Sequence, residues 1–130
     1  MKDAGEYLAR LKALIIASSS ITHWEIVREE THGDVGLFRY RVKLVDGSSL
    51  EMFEKFSLYQ DRLEVSRYSF HWQDANGHLL MRWDNASHHP EIPTYPAHKH
   101  QGDGEEVHPH KPVTAEEILV VMADYYSSGT

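Results

Sequence analysis

The sequence predicts an α+β fold: an N-terminal helix, a five-stranded antiparallel meander, a long loop rich in histidine and proline, and a C-terminal helix. Short runs of alternating apolar and polar residues recur between residues 22 and 84, as in strands with one buried face. Helical spacing of apolar residues occurs near the two ends of the chain instead. Two helices with one apolar stripe each suit a sheet that is covered on one face.

The first predicted helix spans residues 3–17, where apolar residues recur three and four positions apart. Its apolar stripe comprises Tyr7, Leu8, Leu11, Leu14 and Ile15. The second predicted helix follows a capping box, in which Thr114 precedes Glu117 by three positions. Its stripe comprises Ile118, Leu119, Met122 and Tyr125.

The five predicted strands cover residues 22–30, 35–45, 49–58, 63–73 and 78–84. Asn76-Gly77 separates the last two, and a two-residue Asn-Gly turn is the strongest short-range signal for a hairpin. Such a turn determines every cross-strand partner. The predicted core face carries Tyr68, Phe70, Trp72, Met81 and Trp83. The reverse face carries Arg67, Ser69, His71, Leu80, Arg82 and Asp84, with His71 opposite Arg82 and Ser69 opposite Asp84.

The preceding hairpin extends both faces if Asp46-Gly47-Ser48 is a three-residue loop. Its core face then carries Phe38, Tyr40, Val42, Leu44, Leu50, Met52 and Phe56, with Glu54 as the one charged intruder. The two hairpins together predict a basic reverse face formed by Arg39, Arg41, Lys43, Lys55, Arg67 and Arg82, interrupted by Glu51 and Phe53. Such a face is either ordinary solvated surface or a phosphate-binding surface, for which the arginine fork is well suited.

Composition narrows the classes of function. The 130 residues suit a single domain, predicted over residues 1–130, and the absence of cysteine excludes disulfides, thiolate zinc sites and cysteine nucleophiles. A net charge of −7 argues against binding nucleic acid by overall charge. Neither a signal peptide nor a membrane span is evident, so we expect a cytoplasmic protein with no membrane partner.

The long loop, residues 86–112, contains an unusual set of histidines. Six of the ten lie there: His88, His89, His98, His100, His108 and His110. Three interpretations stay open. They could bind metal with Asp103, Glu105 or Glu106, although no spacing matches a known zinc motif. They could transfer protons in metal-independent RNA cleavage, or they could have no chemistry.

RNA cleavage needs a base for the 2′-hydroxyl, an acid for the leaving oxygen and cations for the phosphorane. The candidate catalytic residues are His71, Arg82, Asp84, His88 and His89, with a histidine as base, a second as acid, and Arg82 on the phosphate. The candidate substrate-binding residues are Arg39, Arg41, Lys43, Lys55, Arg67, His98, Lys99 and His100. No residue is assigned as a metal ligand, and no cofactor is predicted.

The second half of the chain resembles the TumE-like toxin family, formerly catalogued as a domain of unknown function. The matching pieces are His71-Trp72-Gln73-Asp74, Arg82-Trp83-Asp84-Asn85-Ala86, His88-His89-Pro90-Glu91 and His98-Lys99-His100. Ser87 stands where the family pattern leads us to expect proline. The resemblance implies the toxin of a toxin–antitoxin pair, with a cognate antitoxin as partner.

RNA as the target follows from the chemistry of the residues and from the frequency of ribonucleases among such toxins. Two other functions stay open. One is a metal-dependent hydrolase or nucleotidyl-modifying enzyme that uses the loop histidines. The other is a binding module that blocks a partner protein without catalysis. The sequence also leaves a homodimer open.

Overall fold

Seven antiparallel strands, hydrogen-bonded in chain order, form one sheet in the computed structural model, which describes residues 3–87, 90–102 and 106–127. Two helices pack against one face of this sheet. The elements are α1 (Ala4–Ala17), β1 (Ile21–His32), β2 (Val35–Leu44), β3 (Ser49–Tyr59), β4 (Arg62–Gln73), β5 (Leu79–Asp84), β6 (His98–Gln101), β7 (Val107–Pro109) and α2 (Ala115–Ser127). The predicted α+β class is confirmed.

The predicted count of five strands was wrong, because segment 86–112 is not a loop throughout. β6 and β7 lie within it and continue the sheet beyond β5. They have four and three residues and little apolar alternation, so no sequence pattern marks them. The open edge of β5 offers unpaired backbone groups, and pairing with that edge makes residues 98–101 into β6. The outer edge of β6 then pairs with β7 in the same way.

The predicted register between β4 and β5 is confirmed, although the turn that produces it differs. Trp72 pairs with Met81, Phe70 with Trp83, His71 with Arg82 and Ser69 with Asp84. The turn is a three-residue loop, since the Asp74 N–H donates to the His78 carbonyl, and Gly77 occupies the left-handed region at φ 85°. A bulge between Trp72 and Gln73 compensates for the extra residue.

The β2–β3 hairpin also has a three-residue loop, but one position earlier than predicted. The Leu44 N–H donates to the Ser48 carbonyl, and Gly47 has φ 87°, so the loop is Val45-Asp46-Gly47. Val42 therefore pairs with Leu50, a register two residues away from the predicted one. Side chains alternate with a period of two, so a shift of two leaves both faces unchanged.

Both helices cover the apolar face of the sheet. The predicted core residues of β2, β3 and β4 are all buried, Trp83 is buried, and Met81 is partly buried. In α1 the predicted stripe is buried except Leu14, which is 38% exposed. In α2 the predicted Tyr125 is 53% exposed, and Tyr126 packs against the core instead. The predicted capping box is confirmed, because the Glu117 N–H donates to Thr114 Oγ1.

Glu54 lies on the core face as the sequence indicates, and it is fully buried. The Tyr7 hydroxyl donates to Oε1 at 2.5 Å, and the Ala115 N–H donates to Oε2 at 2.6 Å. One carboxyl group therefore joins α1, the sheet and the start of α2. The opposite face of the sheet is left uncovered by the two helices, and the candidate site lies there.

Candidate functional site

The uncovered face of the sheet contains a cleft of about 650 Å³. Five cationic side chains line it: Arg28, Arg39, Lys55, Arg67 and Arg82. Two carboxylates, Glu51 and Asp84, and one described histidine, His100, are also in its wall. The local excess of cations is opposite in sign to the net charge of the whole chain. The alternation of strands thus concentrates basic residues on one surface of an acidic protein.

Two pairs of cations in this wall are direct cross-strand partners. Arg28 pairs with Arg39 between β1 and β2, and Lys55 pairs with Arg67 between β3 and β4. The first pair is compensated, since Arg28 contacts Glu30 and Arg39 lies 3.2 Å from Glu51. The Lys55 and Arg67 side chains form no ion pair within the residues that the structure describes. Like charges placed directly opposite each other destabilise a sheet.

The structure brings together six of the predicted site residues in the cleft wall: Arg39, Lys55, Arg67, Arg82, Asp84 and His100. Arg41 and Lys43 lie outside it. Arg41 is held by two carboxylates, Glu25 at 3.0 Å and Glu51 at 2.9 Å. Lys99 is the cross-strand partner of Trp83 and so lies on the helix-covered face. His88 and His89 fall outside the described residues.

Asp84 is the centre of a buried cluster at one end of the cleft. It is 3% exposed and pairs with His98 across β5 and β6, while Arg82 pairs with His100. Residues two apart on a strand share a face, so both imidazoles project toward Asp84. His98 Nε2 lies 2.9 Å from Asp84 Oδ1, and His100 Nε2 lies 3.5 Å from Asp84 Oδ2.

Further contacts hold this cluster in place. The Ala86 N–H donates to Asp84 Oδ1 at 3.0 Å, and Arg82 Nε donates to Asp84 Oδ2 at 3.1 Å. His98 is 1% exposed, and its Nδ1 lies 2.8 Å from the Pro96 carbonyl oxygen. Because a carbonyl oxygen can only accept, Nδ1 carries the proton and Nε2 faces the carboxylate. No cluster of this kind forms around His108 or His110 within the described residues.

His71 and Arg82 make direct contact, as their predicted pairing requires. Arg82 Nη1 lies 3.2 Å from His71 Nδ1, and His71 Nε2 lies 3.1 Å from Gln73 Oε1. A guanidinium only donates, so Nδ1 is the acceptor and Nε2–H donates to the glutamine oxygen. Both ring nitrogens are therefore occupied, and the imidazole orients the guanidinium.

Seven residues of the cleft wall were not predicted as site residues: Arg28, Glu51, Phe53, Tyr68, Ser69, Asn85 and Ala86. The alternation did place Glu51 and Phe53 on the correct face. The Arg39 guanidinium lies 4.9 Å from the centre of the Phe53 ring, as in a cation–π contact. Asn85 follows β5, accepts from the Tyr68 N–H and donates to the Ser66 carbonyl. No sequence signal distinguishes Arg28 from other strand arginines.

A second and larger groove, of about 720 Å³, lies between the C-terminal ends of α1 and α2. Leu14, Val45, Leu119 and Val120 are in its lining, and none of the described residues that line it is a histidine, lysine or arginine. Its size exceeds that of the cationic cleft, but its described titratable groups are the carboxylates of Glu116 and Asp124 and the phenol of Tyr126, which supply no cation for a phosphate. The candidate site is therefore the cationic cleft.

Comparison with known families identifies the chain. The family model described as Toxin TumE matches residues 11–127, nearly the whole sequence. The chain belongs to the TumE toxin family. Membership confirms the resemblance found in the second half of the sequence and extends it through the first half. It identifies this TumE-family chain as the toxin of a toxin–antitoxin system, and it implies an antitoxin as partner.

Neither the curated proteins nor the solved structures that were compared with this TumE-family chain match it. Among the described residues, no helix has the length and apolar character needed to cross a membrane.

Proposed function

We propose that this TumE-family toxin binds RNA in the cationic cleft and cleaves it there. The observation that carries the proposal is the Lys55–Arg67 pair, two cations placed opposite each other in the cleft wall without a carboxylate partner among the described residues. Such a pair weakens the sheet unless an anion lies between the two side chains. RNA offers one phosphate per nucleotide, and phosphate contacts supply most of the affinity of nucleic-acid binding.

The other residues of the wall support RNA over a small anion. Arg28 and Arg39 extend the cationic surface across β1 and β2, so several successive phosphates can be contacted. Phe53 adds an aromatic ring to the same wall. An unpaired base can stack on such a ring, which favours single-stranded RNA over a duplex.

Arg82 is the group proposed to hold the reacting phosphate. His71 and Asp84 orient two of its nitrogens, while Nη2 makes no hydrogen bond within the described residues. The two N–H groups of Nη2 can therefore donate to a phosphate oxygen, and the two contacts of the guanidinium fix their direction. A donor with a fixed direction stabilises the charge that develops in the transition state. In this proposal His71 is a positioning residue, because both of its nitrogens are already in contact.

The cleavage step requires two proton transfers. A base takes the proton of the 2′-hydroxyl, the 2′-oxygen bonds to the adjacent phosphorus, and the bond to the 5′-oxygen breaks as an acid protonates that oxygen. The products are a 2′,3′-cyclic phosphate and a 5′-hydroxyl. His100 is assigned to one transfer, since it lines the cleft and Asp84 contacts its Nε2. His88 and His89, which follow the cleft residue Ala86 closely in sequence, are assigned to the other.

The experiment is RNA binding and cleavage by the purified toxin and matched variants. Lys55→Gln and Arg67→Gln should each weaken RNA binding. Each should also make the slope of log K against log salt concentration shallower by about 1, because one phosphate contact is lost. Arg41→Gln is the control, because Arg41 is a paired arginine outside the cleft. His100→Ala should reduce cleavage about 10²–10⁴-fold and leave binding in place.

Two results would overturn the proposal. One is equal RNA affinity for wild type, Lys55→Gln and Arg41→Gln, which would show that RNA does not bind in the cleft. The other is full toxicity in cells from a His100→Ala, Arg82→Gln double variant. That outcome would favour a toxin that blocks a partner protein without catalysis.

A further inference from the structure

Three metal-binding groups converge on one point at the end of the cleft. Asp84, His98 and His100 each place one ligand atom within 4.8 Å of the other two. Each histidine lies near the carboxylate: His98 Nε2 is 2.9 Å from Asp84 Oδ1, and His100 Nε2 is 3.5 Å from Asp84 Oδ2. Tetrahedral zinc with bonds of about 2.0–2.1 Å sets its ligand atoms roughly 3.3 Å apart, so these spacings suit one ion.

The backbone around these residues gives the cluster the rigidity of a metal site. His98 and His100 lie on the same strand, β6, and Asp84 is the cross-strand partner of His98 on β5. Ligands on paired strands stay in place without the ion. Asp84 is 3% exposed and His98 is 1% exposed, so the site also excludes much of the water that competes for a cation.

Outer contacts orient the ligands in the manner typical of metal centres. A histidine that binds metal through Nε2 usually donates its Nδ1–H to a carbonyl or carboxylate. His98 Nδ1 lies 2.8 Å from the Pro96 carbonyl oxygen, which directs Nε2 to the centre of the cluster. The Ala86 N–H supports the Asp84 carboxylate at 3.0 Å. The Arg82 guanidinium lies 3.1 Å from the same carboxylate, and its positive charge opposes the binding of a cation there.

We propose that Asp84, His98 and His100 bind one divalent transition-metal ion of the zinc class. Two imidazoles and one carboxylate are ligands suited to zinc, and they are less suited to magnesium or calcium, which prefer oxygen ligands throughout. Three protein ligands leave a fourth position. His100 and Asp84 both line the cleft, so that position opens toward it.

Metal binding has a consequence for catalysis that rests on the proposed function. His100 Nε2 has one lone pair, which can hold the metal or accept a proton but cannot do both. An ion in the cluster therefore withdraws His100 from proton transfer. The metal-loaded toxin is inactive in the His100-dependent cleavage of RNA, and removal of the ion restores it.

The binding test needs no RNA. Purified toxin without an affinity tag is freed of metal and titrated with Zn²⁺ by calorimetry, and Co²⁺ is added separately to record the absorption bands of a tetrahedral site. The expected result is one Zn²⁺ per chain. His100→Ala and Asp84→Asn should weaken binding by at least the roughly 10–100-fold that loss of an outer partner costs.

The matched control is His78→Ala. His78 lies 3.5 Å from Asp74 in an exposed histidine–carboxylate pair outside the cluster. It should leave zinc binding unchanged. Absence of saturable zinc binding in the wild type would overturn the proposal, and so would equal affinity in wild type and His100→Ala. Since His98 is buried, His98→Ala is not used, and circular dichroism confirms that the other variants fold.

Cleavage assays separate this proposal from the proposed function. Toxin from which a chelator has removed the metal should cleave RNA, and one equivalent of zinc should stop the cleavage. This result supports both the proposed function and the inhibition by metal. A second outcome is that zinc binds at the cluster and cleavage requires zinc. That outcome supports the metal site but overturns the role of His100 in metal-free proton transfer. Equal cleavage rates in zinc-loaded and chelated toxin overturn the inhibition. If no RNA is cleaved under any condition, the zinc titration still decides the metal site.

Discussion

Glu54 is a carboxyl group inside the apolar core, and its ionisation links the stability of the fold to pH. Its side chain is 0% exposed. Burial raises the pKa of Glu54 from 4.5 to about 7, although hydrogen bonds from Tyr7 and the Ala115 N–H act in the opposite direction. The folded protein therefore keeps this proton in a pH range where the unfolded chain has lost it.

The sign of the effect follows from which pKa is higher. The folded pKa is raised, so the stabilisation is fully present below pH 4.5 and is lost as pH rises through about 7. One pKa unit corresponds to about 1.36 kcal/mol. Ionisation of Glu54 should therefore lower the free energy of unfolding by roughly 3 kcal/mol between acid and alkaline conditions.

The assay compares urea unfolding of wild type and Glu54→Gln from about pH 4 to pH 9. Glutamine resembles the protonated acid: its amide oxygen accepts from the Ala115 N–H, and its amide nitrogen donates to the Tyr7 hydroxyl oxygen. The free energy of unfolding of the variant, measured relative to wild type, should increase by roughly 3 kcal/mol from about pH 4 to pH 9. Glu64→Gln, at an exposed position of β4, is the control. A difference between Glu54→Gln and wild type that stays constant with pH would refute the reasoning.

Three further predictions concern packing and charge. Tyr7→Phe removes the donor to Glu54 Oε1, so it should cost about 1.5–3 kcal/mol near pH 9 and less near pH 5; equal losses in urea unfolding at both pH values would contradict it. Gly36→Ala would place Cβ 2.8 Å from Phe56 Cζ and 3.1 Å from the Glu30 carbonyl oxygen. Thermal unfolding should show a loss of about 1–3 kcal/mol, whereas Gly5→Ala, with only a 3.5 Å contact to Asp3, should show none. Lys55→Gln should raise the free energy of unfolding by up to about 1 kcal/mol because it removes repulsion from Arg67; a loss of stability would mean that the pair is compensated.

The faces of the sheet could be predicted from the sequence even where turns were assigned incorrectly. The β4–β5 register was correct because a bulge offset the extra turn residue. The β2–β3 register differed by two residues, and the faces still matched because side chains alternate with that period. Glu54 was recognised as an intruder on the core face, but its partners Tyr7 and Ala115 lie on elements far away in sequence.

The candidate site could be predicted only in part. His71, Arg82 and Asp84 follow from one local hairpin, and their mutual positions agree with the prediction. The separation of Arg39 from Arg41 could not be foreseen, since it depends on Glu25 and Glu51 in the neighbouring strands. The metal interpretation named Asp103, Glu105 and Glu106 as carboxylate ligands. Asp84 is the carboxylate at the described cluster, while Asp103 and Glu105 lie outside the described residues.

The sequence by itself determined the class of the fold, the two faces of the sheet and the family of the chain. These properties depend on local alternation, on helix caps and on motifs that stay close together along the chain. Only the tertiary structure decided that residues 98–101 become a strand and bring His98 and His100 to Asp84. The physical reason is that a short polar segment has no strand tendency of its own. It becomes a strand through hydrogen bonds to the open edge of β5, and that edge exists only once the sheet has formed.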